Sequence, residues 1–172
     1  MSVMDTDIEL DTEDDNEDLQ KDRYLTFRLA DEEYGLEIRH ITEIIGIQKI
    51  TEVPDLPVFV KGMINLRGTV IPIIDVRARF GASPKEYDNR TCIIVVTLAE
   101  TFVGLIVDEV SEVVGIPEGI MEPPPRVSRG PNSRFIKGLA KVGESARLVL
   151  DVRKLLYDAE PADEVNAAEE SA

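Results

Sequence analysis

The chain has no tryptophan, one cysteine (Cys92) and one histidine (His40), and its aromatics are only five phenylalanines and four tyrosines. A single imidazole excludes a metal centre built on several histidines. A single cysteine excludes an internal disulfide, as suits a reducing compartment such as the cytoplasm. Cys92 opens an apolar stretch and reads as a small buried hydrophobe. His40 lies between Ile38 and Ile41, which face a core, so it reads as a surface residue. The apolar runs are short: Cys92-Ile93-Ile94-Val95-Val96 is far below the length that spans a bilayer. No basic start followed by an apolar stretch marks a signal peptide. Gly62 to Gly68 is not followed by the Lys-Ser/Thr pair of a phosphate-binding loop, and the acidic residues near the N-terminus lack the glycine and spacing of a calcium hand. No basic stripe with interleaved aromatics is present, which argues against nucleic acid as a partner.

What is abundant is negative charge, and it is concentrated at the ends. Of the formal −15, residues 1–22 carry −9 (ten Asp/Glu against Lys21) and residues 158–172 carry −6. The middle, 23–157, is formally neutral, with 18 acidic and 18 basic side chains. Both ends are poor in apolar residues and self-repelling, so they read as disordered, solvating acidic tails around one domain.

That domain reads as short strands. Tyr24–Leu29 alternates at period two, and Ile93–Val96, Phe102–Val107 and Arg147–Val152 are short, rich in branched residues and bounded by Gly, Pro or charge. Thr42–Ile45 fits a strand end or a helix start. Asp75–Phe80 and Asp151–Tyr157 read as helical turns, each aspartate capping the N–H groups that follow. Many short strands with turns between them point to a barrel or a sandwich.

The chain also repeats. Gly35–Ile47 matches Gly104–Ile116 at an offset of 69, with five identities in 13 positions. Phe59–Arg77 matches Phe135–Arg153 at an offset of 76, with six identities in 19. The order is the same in both halves, and the extra length falls in the loop of Pro123, Pro124, Pro125 and Pro131. Duplication explains this, with repeat 1 at about 24–80 and repeat 2 at about 91–157. Each copy is too small to bury much alone, so two similar lobes sharing an interface are expected. Whether the lobes exchange strands is open at this level.

Chemistry is thin. Asp75 and Asp151 are repeat-equivalent, and with Asp108 or Glu109 could be imagined as the carboxylates of a small acid–base hydrolase. Capping accounts for the first two without catalysis. Asn65 and Arg67 interrupt an apolar stretch at spacing two, so on a strand they share a face. The second copy has Lys141 and Gly143 there, so the halves diverged at this spot, although Glu43 keeps its counterpart Glu112.

Several stretches in order resemble the CheW family. They are Tyr24-Leu25-Thr26-Phe27…Glu33-Tyr34-Gly35, Ile41-Thr42-Glu43-Ile44, Ile50-Thr51-Glu52-Val53-Pro54, Val60-Lys61-Gly62-Met63-Ile64-Asn65-Leu66-Arg67-Gly68, Val70–Arg77 and Gly104–Val110. The likeness spans 23–157, and Gly-x-x-Asn-Leu-Arg-Gly is its most specific part, with Met63 where the family usually has Val. The resemblance implies an all-β fold with short helices: two small five-stranded barrels packed on a shared core. It implies a cytoplasmic chemotaxis adaptor with no cofactor, metal or catalysis. The partners implied are the regulatory domain of the histidine kinase CheA, the hairpin tip of chemoreceptors, and other copies of CheW in ring assemblies. The output could be flagellar or could drive pili. The resemblance also places a receptor groove at Ile41, Ile44, Gly62 and Gly104. Beside it an ion pair of Glu43 with Arg67 is expected, supported by a turn at Asn65 and Gly68.

Overall fold

The computed structural model describes residues 22–123, 134–142 and 144–157. The acidic tails read at 1–22 and 158–172 lie outside the described residues, Asp22 excepted, as does the proline-rich loop beyond Pro123. The strands are β1 (Arg23–Leu29), β2 (Glu32–Glu37), β3 (Ile41–Gly46), β4 (Val60–Leu66), β5 (Thr69–Asp75), β6 (Cys92–Leu98), β7 (Thr101–Val107), β8 (Glu109–Gly115), β9 (Met121–Glu122), β10 (Ile136–Val142) and β11 (Ser145–Leu150). Two short helices follow the paired hairpins: α1 (Val76–Arg79) after β5 and α2 (Val152–Tyr157) after β11. The stretch at Thr42–Ile45 is strand. Asp75 accepts from the backbone of Arg77 and Ala78, and Asp151 from that of Lys154, so both aspartates cap their helices.

The strands form two sheets. A five-stranded sheet, the first lobe, runs β3-β6-β7-β5-β4; a six-stranded sheet, the second lobe, runs β8-β1-β2-β11-β10-β9. The sequence halves are therefore not the lobes. Hairpin β1–β2 of the first half lies between β8 and β11 of the second, and hairpin β6–β7 of the second half lies between β3 and β5 of the first. The two orders become identical when the repeat offsets are applied. Ile73 pairs with Gly104 in parallel, as Val149 does with Gly35, and both β4–β5 and β10–β11 shift register just before a glycine, Gly62 or Gly138. The sixth strand, β9, has a counterpart in the isolated bridge of Thr51 to Met63, which curls the chain after β3 back onto β4.

Strand exchange explains the apolar run of β6. Ile93 and Val95 point into the first lobe with Ile64, Ile71, Ile73 and Ile106, whereas Ile94 and Val96 point into the core between the lobes. A strand covered on both faces has no polar side, so its alternation is lost. The shared core draws Leu25, Phe27 and Leu36 from one sheet and Ile74, Leu105 and Val107 from the other. Each such buried side chain contributes roughly 1.5–3 kcal/mol. Against this core Arg79 of α1 is buried, its guanidinium 4.1 Å from the Phe59 ring and 4.8 Å from that of Phe135, two repeat-equivalent residues. Its Nε donates to the carbonyl of Leu155 at 2.9 Å, so one half of the chain helps close a helix of the other.

Candidate functional site

The stretch Asn65-Leu66-Arg67-Gly68 is the tip of hairpin β4–β5. Leu66 pairs with Thr69, which leaves Arg67 and Gly68 as a two-residue turn with φ of 51° and 88°. Positive φ at both positions matches the turn type whose twist suits a hairpin, and glycine fills the second position without a steric penalty. The Gly68 N–H donates to Asn65 Oδ1 at 2.9 Å, bracing the turn. Asn65 is on the strand, but Arg67 is not, so the expectation that they share a strand face is corrected: the Gly68 turn begins one residue earlier than alternation suggests. The turn aims Arg67 across the mouth of the first lobe, where Nη2 bonds Glu43 Oε1. Since β3 and β4 are opposite edges of the five-stranded sheet, this pair spans the two edges.

The four groove residues do not share one surface. Ile41 pairs with Val96 and Ile44 with Ile94, so both lie on the side of β3 that faces the junction of the lobes. Ile41 is half-buried against the shared core, and Ile44 is 42% exposed at the edge. Gly62 and Gly104 are buried. At Gly62 (φ +147°) a Cβ would overlap the Thr51 carbonyl, and at Gly104 it would press on Ile73 Cδ1 and Ile93 Cγ2 at 2.5 and 2.8 Å. These glycines admit neighbouring backbone and side chains; of the four, the accessible apolar element is Ile44.

Of the carboxylates weighed as catalytic, Asp75 and Asp108 are occupied. Asp75 caps α1 and accepts from the Tyr87 hydroxyl at 3.0 Å. Asp108 is held by Arg77 through Nε at 2.8 Å and Nη2 at 2.7 Å, and accepts from the Ala30 N–H at 2.9 Å. Burial works against the Asp108 carboxylate, but the hydrogen bonds from Arg77 and Ala30 prevail and hold its pKa below the usual value. The Arg77 cation and the Ala30 N–H together leave it a poor proton acceptor. His40, read as a surface residue, is half-buried with Nε2 3.8 Å from Glu37, and burial lowers its pKa. Cys92 is half-buried, and burial pushes its thiol up, away from nucleophilic character. No group of three or more potential metal ligands is present among the described residues. Nor is any described helix long and apolar enough to cross a membrane.

A model of the CheW-like domain matches residues 23–160. The chain belongs to the CheW-like domain family. This is a family of adaptor and scaffolding proteins, not of enzymes. The chain is 36% identical over 139 residues to the chemotaxis protein CheW of Klebsiella aerogenes, covering 81% of this chain and 84% of that one. It is 34% identical over 142 residues to a probable chemotaxis protein CheW of Rhizobium etli, covering 82% and 92%. Among solved structures it is similar to the scaffolding protein TtCheW of Thermoanaerobacter tengcongensis, with a TM-score of 0.73 at 37% identity, covering 78% of this chain and 91% of that one. The expected all-β CheW-like fold is thereby shown.

Three arginines escaped the reading of the sequence: Arg77, which holds Asp108; Arg79, buried between two phenylalanines; and Arg147, buried inside the second lobe. Asp108, Leu155 and Glu33, which they respectively bond, lie 31 or more residues away. The one local hint is that Arg147 sits in a stretch, Ala146–Leu150, that is otherwise apolar.

Proposed function

We propose that this CheW-family scaffold couples chemoreceptors to the histidine kinase CheA in the cytoplasm, supporting kinase activation and its control by receptors. Residues 23–157 are the working body, and the acidic segments 1–22 and 158–172 are solvating and dispensable. The single observation that carries the docking assignment is Ile44. It is a large aliphatic side chain 42% exposed on an edge strand, next in sequence to Glu43 of the Glu43–Arg67 pair. An apolar helix can bury it while the pair fixes the surrounding edge. Ile41 and the junction of the lobes extend that surface, while Gly62 and Gly104 keep the sheet behind it closely packed. The Asn65–Gly68 turn keeps Arg67 in place. The receptor tip sits here, the kinase regulatory domain contacts the body elsewhere, and further copies join in rings. No cofactor takes part.

The test is a binding titration with purified kinase regulatory domain and a soluble receptor-tip fragment. The protein should bind both at once, and Ile44→Asp should weaken receptor-tip binding at least several-fold while kinase-domain binding persists. Unchanged receptor-tip binding by Ile44→Asp would remove the groove from β3.

A further inference from the structure

The two lobes differ most where their geometry is most alike. In the first, β5 places Ile71 opposite Ile64 within an apolar cluster that includes Ile73 and Val95. The same position of the second lobe, on β11 opposite Ala140, is Arg147. Its guanidinium is carried inside, with the side chain only 9% exposed. Nε donates to Glu33 Oε2 at 2.8 Å and Nη2 to Glu112 Oε1 at 3.3 Å. Nη1 is buried without a hydrogen-bond partner among the described residues. A desolvated cation with an unmet donor lowers stability relative to an apolar side chain in the same place.

Glu112, in contrast, is held twice. The buried Thr26 hydroxyl donates to its carbonyl at 2.8 Å and accepts from its N–H at 3.1 Å. The register of β1 on β8 shifts between Leu25 and Phe27 at this point. A bulge of this kind re-aims a side chain, and Arg147 grips the carboxylate from within. The Glu112 side chain nevertheless stays 62% exposed. Its repeat counterpart Glu43 is answered by Arg67 from the hairpin turn, but the residue equivalent to Arg67 is Gly143, which has no side chain to offer.

We propose that Arg147 is a positioning residue that holds Glu112, with Glu33, as an acidic docking point on the rim of the second lobe for an arginine or lysine of a protein partner. Arg147 divides its single charge between two carboxylates, and an incoming cation at Glu112, on the side away from Arg28, which stands opposite Glu33, takes the place that Arg67 fills in the first lobe. This rests on the adaptor reading, and it explains why the interior of this lobe tolerates an arginine where its twin has isoleucine.

The experiment compares the full chain with Arg147→Ile, Arg147→Lys and Glu112→Gln, by thermal melts of the protein alone and by titrations with kinase regulatory domain and receptor-tip fragment. Arg147→Ile should melt a few degrees higher yet bind one of the two partners several-fold more weakly. Glu112→Gln should weaken the same partner with its melt unchanged, and Arg147→Lys should retain more affinity than Arg147→Ile. A lower melting temperature for Arg147→Ile would make Arg147 a plain stabilising residue and overturn the proposal. So would unchanged affinity for both partners in Arg147→Ile or Glu112→Gln. A parent chain that binds neither partner overturns the adaptor reading and this docking role together, whereas a parent that binds both with the variants unaffected overturns only the docking role.

Discussion

Arg67, at the tip of hairpin β4–β5, reaches across the mouth of the first lobe to Glu43 on the opposite edge of the same sheet. The arginine side chain is 69% exposed, so solvent screens the pair and it contributes at most about 1 kcal/mol to folding. Arg67→Ala should shift the melting temperature by no more than a few degrees, as expected of ~1 kcal/mol in a domain of this size. A thermal melt followed by circular dichroism checks this, and outright unfolding would make Arg67 structural.

Gly62 should be far less forgiving. Its φ of +147° is open to glycine alone, and a Cβ would collide with the Thr51 carbonyl, which accepts the Met63 N–H at 2.9 Å. Gly62→Ala should therefore lower stability by roughly 2–4 kcal/mol, through backbone strain and loss of the Thr51–Met63 bridge. Gly46→Ala is the control: nothing lies within 4 Å of its Cβ, and its effect should stay within about 0.5 kcal/mol. Urea denaturation of the two variants separates them.

The exchanged hairpins predict that neither half folds alone. A fragment of residues 22–83 lacks the strands that flank β1–β2, namely β8 and β11, and a fragment of 84–157 lacks β3 and β5. Each would expose its share of the core between the lobes. Separately the fragments should show the poor amide dispersion of unfolded chains; mixed at equal concentration they should regain a dispersed spectrum. A folded isolated half would contradict the assignment of the shared core.

Much of this was readable beforehand, for particular reasons. Strands such as Phe102–Val107 and the caps Asp75 and Asp151 depend on neighbours in sequence, so local pattern reveals them. The repeat foretold two like lobes, and the offsets 69 and 76 carry over into strand register. Exchange was not readable, because a strand's apolar pattern is the same whichever sheet receives it. Alternation alone places Arg67 on a strand, but the turn that Gly68 makes takes it off. Gly62 and Gly104 were expected at a groove surface, but the need for glycine there comes from Thr51, Ile73 and Ile93, which only the fold brings near.

Acid should act through Asp108. Its folded pKa is depressed, so the stability it contributes is present above the unfolded value, near 4, and is lost as pH falls through the lower folded value. Asp108→Asn keeps an acceptor for the Ala30 N–H and removes the titration. Relative to that variant, the parent should lose stability between about pH 5 and pH 2, with the gap narrowing as the carboxylate protonates. Chemical denaturation at a series of pH values reads the difference, and parallel curves for the two proteins would show that the Arg77–Asp108 pair adds nothing to folding.

Coupling itself is tested most directly by kinase autophosphorylation in vesicles carrying the chemoreceptor, with CheA added and this protein present or absent. Activity should rise well above the level of kinase and receptor alone only when the protein is added. It should fall again when the receptor's attractant is supplied, and Arg67→Ala should give several-fold less activation at equal concentration. Kinase activity that is the same with and without the protein would contradict the adaptor role.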